Sequence, residues 1–266
     1  MRYAYQEAIV ALGARPAEET ARTIGEFWNE HNGSSASNLL DVGSADGAAT
    51  EAILSFTKNI RFDSVVVVEP DLSLCDIAVA RISVGTGRVV GVSSIDHAGG
   101  GFAHVLASHV LYHFSDLKEA IIDFAGRLSH SGLLTTVVRS TTCDTFLLRS
   151  LSCRRTAETA RINESKVMAA FRGAGLDPVV EYVQRLVSFP REQYRAGVPD
   201  GALKQFLEFA MRLDVAGPLD QEARGLLNEM IMTRTVGDVI SFSLRDMIVF
   251  GCRVDCDGSH SARMTW

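Results

Sequence analysis

In the first half of the chain, short runs of consecutive apolar residues alternate with stretches in which apolar residues recur at regular intervals. Five runs have the length of a buried strand, at residues 39–42, 65–69, 88–92, 103–108 and 133–138. Between them, apolar residues recur at helical spacing over residues 47–57, 72–82 and about 116–128. Buried strands separated by helix-length connections predict a parallel, doubly wound α/β sheet.

The second half adds two predicted strands and a long helical segment. Residues 164–174 have helical spacing, and residues 177–184 and 240–249 are the predicted sixth and seventh strands. Residues 190–236 are predicted to be helical without a strand. The whole pattern predicts a Rossmann-like sheet of seven strands with a helical insertion before the last strand.

The same pattern predicts how the chain is divided. Residues 1–252 are expected to form a single domain, with an N-terminal helical cap over about 1–33 that ends in turn residues. The insertion is expected over about 190–237, where it would cover the ligand cleft. Residues 253–266 have no periodicity and are predicted to be a disordered tail.

Composition narrows the possible partners. The chain has 266 residues, 47% of them hydrophobic, which is ample material for a large core. The net charge of −6 argues against a nucleic-acid partner, and no apolar run is long enough to predict a membrane span. The chain lacks the apolar core of a signal peptide, and its five cysteines are scattered and odd in number. We therefore expect a cytoplasmic protein with reduced thiols, either a monomer or a homodimer.

The turn after the first predicted strand carries small residues at every second position, in the series Asp41-x-Gly43-x-Ala45-x-Gly47. Glu69 ends the next strand along the chain. Glycine in such a turn lets the backbone approach a ligand, and an acid after the second strand suits ribose hydroxyls. A pyrophosphate would be repelled by the carboxylates of Asp41 and Asp46 beside the turn. The pattern therefore favours an adenosine-containing ligand that is cationic.

This series and the acid that follows resemble motifs of the class I S-adenosylmethionine-dependent methyltransferases, which have glycine in place of Ala45. The resemblance implies S-adenosylmethionine as the cofactor and a mostly parallel sheet whose last strand is antiparallel. It also implies a cofactor site after the first four strands, made of Asp41, Gly43, Ser44, Ala45, Gly47, Glu69, Pro70, Ser94, Asp96 and Ser108. Ser94 and Asp96 are alternatives for the polar group that faces the adenine amine.

Two histidines follow the fourth predicted strand, within residues 107–116, a segment that resembles the fourth motif of that family. His109 lies where a methyl acceptor would approach, and an imidazole can take a proton from an amine or hydroxyl near neutral pH. His109 is therefore the candidate catalytic base. His109 and His113 have the spacing of metal ligands on a helix, but no third ligand is indicated. Cys252 and Cys256 lack a second ligand pair, so no metal is predicted.

The order of elements and four segments also resemble the histamine N-methyltransferases. The segments are Val68-Glu69-Pro70, Leu111-Tyr112-His113, Arg139-Ser140-Thr141-Thr142 and the closing strand Ser243–Val249. The resemblance implies a small-molecule acceptor, most simply an amine, contacted by Tyr5, Glu19, His109, His113 and Ser243. Glu18 is the alternative to Glu19 as the match to the family's N-terminal glutamate. That family has glutamine in place of His109 and asparagine near Ser243, which implies an acceptor other than histamine.

Other functions stay open at the level of sequence. Arginines in or after the turn of the fifth strand could receive an anionic substrate; they are Arg139, Arg149, Arg154 and Arg155. Such a site would favour an O-methyltransferase acting on a carboxylate or hydroxyl of a natural product or peptide. A cofactor-binding protein without catalysis, or a nicotinamide oxidoreductase, is the alternative from another class.

Overall fold

The structure is a computed structural model that describes residues 16–32, 36–152, 162–195, 197–211 and 218–253. Eight α-helices lie within these residues: α1 (Pro16–Asn32), α2 (Ala48–Phe56), α3 (Leu72–Ile82), α4 (Leu117–Gly126), α5 (Asp144–Ser152), α6 (Glu164–Gly173), α7 (Gly201–Met211) and α8 (Gln221–Thr233). The strands within them are β1 (Ala36–Val42), β2 (Arg61–Val68), β3 (Arg88–Val92), β4 (Phe102–Ser108), β5 (Leu128–Arg139), β6 (Leu176–Pro190), β7 (Tyr194–Arg195), β8 (Val198–Pro199), β9 (Thr235–Val236) and β10 (Val239–Arg253). Single 3₁₀ turns cover Ile95–His97, Leu111–His113 and Arg191–Gln193.

The main sheet has the strand order β3-β2-β1-β4-β5-β10-β6, and β9 pairs antiparallel with β10. The first five strands of this order pair in parallel, and antiparallel strands lie at the end of the sheet. In this register Leu40 of β1 lies opposite Val66 of β2 and Val105 of β4. The predicted doubly wound, mostly parallel sheet is confirmed. The short strands β7 and β8 form a separate antiparallel pair.

Side-chain caps explain where several helices begin. The carboxylate of Asp71 accepts hydrogen bonds from the backbone N–H groups of Ser73 and Leu74, so α3 starts directly after it. Asp116 caps α4 and Asp220 caps α8 in the same way. The predicted helix over residues 72–82 is confirmed at both ends.

Several segments of the structure differ from the prediction, and two strands begin earlier than predicted, β2 at Arg61 and β5 at Leu128. Helix α5 is not predicted from the sequence pattern. It has only nine residues, in which polar and apolar side chains alternate without a clear helical period. Residues 190–236 contain α7 and α8, but also the short strands β7, β8 and β9, so the expectation of no strand there is wrong. Strand β6 continues to Pro190, past the predicted end at residue 184, and β10 continues to Arg253.

The chain forms two compact units. Of the described residues, those within 17–138, 164–181 and 247–253 belong to unit A, and Pro16 and those within 139–163 and 182–246 belong to unit B. The predicted single domain stays a prediction. Residues 1–15 of the predicted cap, and the tail beyond Arg253, lie outside the described residues.

Unit A is built around strands whose side chains are buried on both faces. Trp28 of α1 is fully buried, and its Nε1 donates to Oγ1 of Thr135 at 2.9 Å. The ring of His104 lies against Trp28, with the ring centroids 4.4 Å apart. Burial lowers the pKa of His104 to about 3, so this imidazole is neutral and belongs to the core.

Unit B has its own apolar core, to which α5, α7, α8, β6 and β10 contribute. The rings of Phe189, Phe206 and Phe242 pack together with centroids 5.1–6.1 Å apart. Because alternate residues of a strand point to opposite faces, the neighbours of Phe242 and Leu244 on β10 are only half-buried. Ser243 and Arg245 lie on that second face.

Candidate active site

The loop between β1 and α2 is shaped by two glycines. Gly43 has a φ of 72° and Gly47 a φ of 77°, a region that side chains disfavour. A Cβ atom on Gly43 would lie 2.3 Å from Cγ2 of Val110, and one on Gly47 would lie 2.9 Å from the Cα of Ala78. The N–H of Gly43 donates to the carbonyl of Val68 at 2.8 Å, which ties the loop to the end of β2. The loop is therefore pressed against its neighbours, and both glycines are required for packing.

Glu69 holds the middle of this loop. The N–H of Ala45 donates to Oε2 of Glu69 at 2.9 Å, and the N–H of Asp71 donates to Oε1 at 3.2 Å. Ala45 has a φ of 51°, so a non-glycine residue is held in the left-handed region. Each carboxylate oxygen has two lone pairs, so Glu69 can still accept hydrogen bonds from a ligand.

Ser44 lies in the same loop, next to Ala45, and its side chain is buried. The residue is 8% exposed, and its Oγ is buried without a hydrogen-bond partner among the described residues. A buried hydroxyl without a partner is unfavourable unless a ligand or water supplies one. Among the atoms of the loop, this Oγ is the clearest indication of a missing ligand.

Asp41, next to the last residue of β1, is buried, and no cation of the described residues pairs with it. It is 2% exposed, and the hydroxyl of Thr50 donates to its Oδ2 at 2.5 Å. Burial raises the pKa of Asp41 to about 7; the hydrogen bond from Thr50 lowers it, and the charge of Glu69 adds to the increase. The carboxyl group therefore exchanges its proton near neutral pH.

Asp46 does not have the role that the sequence suggests for it. Its Oδ2 forms an ion pair with Nη1 of Arg81 at 2.7 Å, and its Oδ1 accepts from the N–H of Ala48 at 3.3 Å. The arginine compensates its charge, so Asp46 repels an anionic ligand less than the sequence alone predicts. The negative charge beside the loop comes from Glu69, and from Asp41 when it has given up its proton.

Four other predicted cofactor residues lie after neighbouring parallel strands. Pro70 follows β2, Ser94 and Asp96 follow β3, and Ser108 ends β4. The carboxyl ends of parallel strands meet at one edge of a sheet, which is where ligands of open α/β sheets bind. Ser94 and Asp96 also bind each other, since Oγ of Ser94 accepts from the N–H of Asp96 at 3.3 Å and donates to its Oδ2 at 3.2 Å. This contact explains both residues locally, and their role towards adenine stays a prediction.

The predicted acceptor residues are distributed over both units. His109 has a φ of 53°, and its N–H donates to the carbonyl of Val137 at 2.8 Å, so a strained backbone places the imidazole directly after β4. His113 is exposed at the end of a 3₁₀ turn, and Glu19 is exposed on α1. Ser243 lies on β10 in unit B, and Tyr5 lies outside the described residues. Their acceptor roles are not tested by these positions.

Unit B contains an ion-pair network that sequence patterns do not predict. Asp246 is 1% exposed and pairs with Nη1 of Arg139 at 2.6 Å and with Nη1 of Arg185 at 2.9 Å. Asp144, also 1% exposed, pairs with Nη2 of Arg234 at 2.8 Å and accepts from the N–H of Ser243 at 2.6 Å. An acid within the apolar run 240–249 is the one local indication of this network.

The network also bears on the arginines proposed as anion receptors. Arg139 already has its carboxylate in Asp246, which argues against its use for a substrate. Arg149 lies on α5 with a shielded Nε. Arg154 and Arg155 lie outside the described residues.

Within the described part of the chain, no group of three His, Cys, Asp or Glu residues could hold a metal ion. No helix in that part is both long and apolar enough to cross a membrane.

Comparison with known proteins identifies the fold. No family model and no curated protein matches the chain. The chain is similar to the structure of an inferred methyltransferase from Bacillus halodurans, with 14% identity, 87% of this chain and 99% of that chain covered, and a TM-score of 0.55. It is also similar to the YcgJ protein from Bacillus subtilis, with 18% identity, coverage of 88% and 98%, and a TM-score of 0.55.

A third similar structure is an inferred sarcosine dimethylglycine methyltransferase from Galdieria sulphuraria, with 10% identity, coverage of 93% and 97%, and a TM-score of 0.53. The chain has the Rossmann-like fold of S-adenosylmethionine-dependent methyltransferases, as the class I resemblance implies. The narrower resemblance to histamine N-methyltransferases stays a prediction.

Proposed function

We propose that this protein is an enzyme that transfers a methyl group from S-adenosylmethionine to a small-molecule acceptor, most simply an amine or other nitrogen. The observation that carries the proposal is the loop at residues 43–47, which Glu69 holds and in which the buried Oγ of Ser44 has no hydrogen-bond partner among the described residues. The sheet order and the similar solved structures support it at the level of fold.

The residues of the loop fit this cofactor better than a dinucleotide. Glu69 offers carboxylate lone pairs to the two ribose hydroxyls, and Ser44 offers a hydroxyl that has no other use in the described part of the chain. Glu69 adds negative charge, and Asp41 can add more by giving up its proton when a positive group arrives, which favours a cation and disfavours a pyrophosphate. Leu72, which is 67% exposed shortly after Glu69, offers an apolar surface to an adenine ring.

When bound, this cofactor supplies an electrophilic methyl group on a sulfonium. The chain's own contribution is to hold the acceptor nitrogen in line and to exclude water, effects that provide on the order of 7–11 kcal/mol in favourable cases. Because the imidazole of His109 follows β4 directly, we assign it the role of accepting a proton from an acceptor that is protonated at neutral pH.

The variant His109→Asn tests this role with the backbone preserved, since asparagine tolerates the left-handed conformation. We expect kcat to fall and its dependence on pH near neutrality to disappear, while affinity for the cofactor product is retained. Unchanged turnover across pH would remove His109 from the mechanism.

The proposed function is tested first by calorimetric titration with S-adenosylhomocysteine and, separately, with NADH. Micromolar binding of S-adenosylhomocysteine alone is the expected result, and binding of NADH alone would overturn the proposal. Transfer of labelled methyl from S-adenosylmethionine is then measured with amines, phenols and carboxylates. Methylation of oxygen rather than nitrogen would support the O-methyltransferase alternative, and binding without transfer to any acceptor would support a non-catalytic protein.

A further inference from the structure

Val110, the residue after the proposed base, packs into the space that Gly43 leaves open. A Cβ atom on Gly43 would lie 2.8 Å from Cβ of Val110 and closer still to its Cγ2, so the valine occupies the place of a missing side chain. The glycine belongs to the loop between β1 and α2, and the valine belongs to the turn after β4. These two segments of unit A therefore interlock.

His109 is held in place from both sides, as its backbone conformation requires. Its φ of 53° lies in the left-handed region, which a residue with a Cβ atom adopts only when its surroundings enforce it. Before it, β4 ends, and the N–H of His109 donates to the carbonyl of Val137 on β5 at 2.8 Å. After it, Val110 is fixed by its contact with Gly43, and the carbonyl of Val110 accepts from the N–H of His113 at 2.9 Å.

The direction of the imidazole depends on this hold. A change of φ from the left-handed to the right-handed region turns the backbone at His109, so a relaxed residue would direct its side chain elsewhere. The side chain of Val110 suits the task because a β-branched residue has a stiff χ1 and fills a fixed space. Removal of its two methyl groups would free the turn from the loop that carries Gly43.

We propose that Val110 is a positioning residue for His109 and that, by filling the space that Gly43 leaves, it sets the place of the imidazole relative to the loop between β1 and α2. The inference rests on the proposed methyltransferase function, in which His109 accepts a proton. No bond is made or broken at Val110, so its contribution to the reaction passes through His109.

The position is tested by nuclear magnetic resonance on the full chain, with the Cε1–Hε1 signal of His109 assigned by its loss in His109→Asn. In the wild type we expect this signal to shift when S-adenosylhomocysteine binds. In Val110→Ala it should lie elsewhere before ligand is added and should respond much less, whereas Val110→Ile, which keeps the branch at Cβ, should behave as the wild type. An unchanged signal and response in Val110→Ala would overturn the proposal, as would a wild-type signal that bound S-adenosylhomocysteine does not move.

Two controls separate positioning from a general loss of structure. The indole N–H of Trp28, which is hydrogen-bonded in the core of unit A, should keep its signal in every variant. Val79→Ala makes the same truncation at another half-buried valine of unit A, whose Cγ2 would lie 3.0 Å from a Cβ atom on Gly91. The His109 signal should stay in place in this variant. A shift equal to that in Val110→Ala would show that any loss of packing moves His109, and would overturn the proposal.

The functional step uses labelled methyl transfer to the acceptor identified among the amines. For Val110→Ala we expect kcat to fall about 10- to 100-fold, because a small misplacement of a reacting group has an effect of this size. The Kd for S-adenosylhomocysteine should stay within about twofold. In the His109→Asn background, Val110→Ala should cause no further loss of kcat, since residues that act through one another are not additive. Losses that multiply would overturn the positioning role.

The failure of this inference differs from the failure of the proposed function. If S-adenosylhomocysteine does not bind to the wild type, the proposed function fails, whatever the His109 signal does in Val110→Ala. If it binds and the His109 signal is the same in the wild type and in Val110→Ala, the positioning role fails and the proposed function stands.

Discussion

The two units hold their buried carboxylates in opposite ways. In unit B, arginine guanidiniums neutralise Asp144 and Asp246, each of which is 1% exposed. In unit A, Asp41 is 2% exposed, its hydrogen-bond donor is the hydroxyl of Thr50, and no cation of the described residues accompanies it. The three carboxyl groups are almost equally buried, yet the charges of Asp144 and Asp246 are neutralised by arginines, whereas the pKa of Asp41 is raised.

This difference separates a structural arrangement from one that can receive a ligand. A buried carboxylate that has its own cation is complete, and loss of either partner leaves an uncompensated charge. A buried carboxylate without a cation takes up a proton and can give it up when a positive group arrives. We therefore interpret the unit B network as stabilising and the surroundings of Asp41 as part of the ligand site.

The largest expected effect on stability comes from Asp246→Asn, which breaks the ion pairs of the buried carboxylate in unit B. This change leaves the guanidiniums of Arg139 and Arg185 without their carboxylate and is expected to lower the free energy of unfolding by about 3–5 kcal/mol. Urea unfolding measures it, with Asp238→Asn in an exposed turn as a control that should stay within about 0.5 kcal/mol. A loss below about 1 kcal/mol would mean that the network is not the stabilising element of unit B.

The buried carboxyl group of Asp41, which has no cation among the described residues, is tested with Asp41→Asn through the pH dependence of stability. Because the pKa of folded Asp41, about 7, lies above its ordinary value, the folded protein keeps a proton that the unfolded chain has lost. The free energy of unfolding contributed by Asp41 therefore falls as pH rises from about 4 to about 7. Asparagine does not titrate, yet it can still accept the hydrogen bond from Thr50.

Between about pH 5 and pH 8, the stability of the wild type should fall relative to Asp41→Asn by roughly 2–3 kcal/mol. Urea unfolding at several pH values measures this difference. A stability difference that is constant with pH would show that the charge of Asp41 is compensated in solution, and the contrast with Asp246 would disappear.

The sequence predicts the parts of the site that are local in the chain. The small residues 43–47 and Glu69 stand at the ends of adjacent strands, so strand order alone brings them together, and the hydrogen bond from Ala45 to Glu69 agrees with that expectation. Similarly, α3 has its predicted bounds because its cap and its period lie within a few residues of each other.

Long-range pairs are the parts that sequence patterns miss. Asp46 and Arg81 are 35 residues apart, and Arg139 and Asp246 are 107 apart, so no local period connects them. The sequence therefore predicts a carboxylate of Asp46 beside the ligand loop and a possible anion receptor in Arg139, but it does not show that each has an ion-pair partner.

A smaller effect is expected from Glu69→Gln, which tests the carboxylate that faces the loop. The variant loses the charge that strengthens hydrogen bonds from Ala45 and from ribose hydroxyls, which costs about 1.5–3 kcal/mol of binding. Calorimetry should show S-adenosylhomocysteine bound at least about tenfold more weakly, with Asp76→Asn on the exposed face of α3 as the unchanged control. Equal affinity in the variant would place the ribose elsewhere.

Ser44→Ala is expected to change stability and ligand affinity least. It also distinguishes most sharply between a structural group and a ligand-binding group. Because the Oγ of Ser44 is buried without a partner among the described residues, its removal should raise the free energy of unfolding by about 1 kcal/mol. The same change removes a hydrogen bond to the ligand and should weaken S-adenosylhomocysteine binding about three- to tenfold. Ser55→Ala, on the exposed surface of α2, is the control for both measurements. A variant that loses stability but keeps its affinity for S-adenosylhomocysteine would show that Ser44 stabilises the fold, as Asp246 does. A variant that gains stability and loses affinity would show that the hydroxyl of Ser44 is hydrogen-bonded only when the ligand is bound.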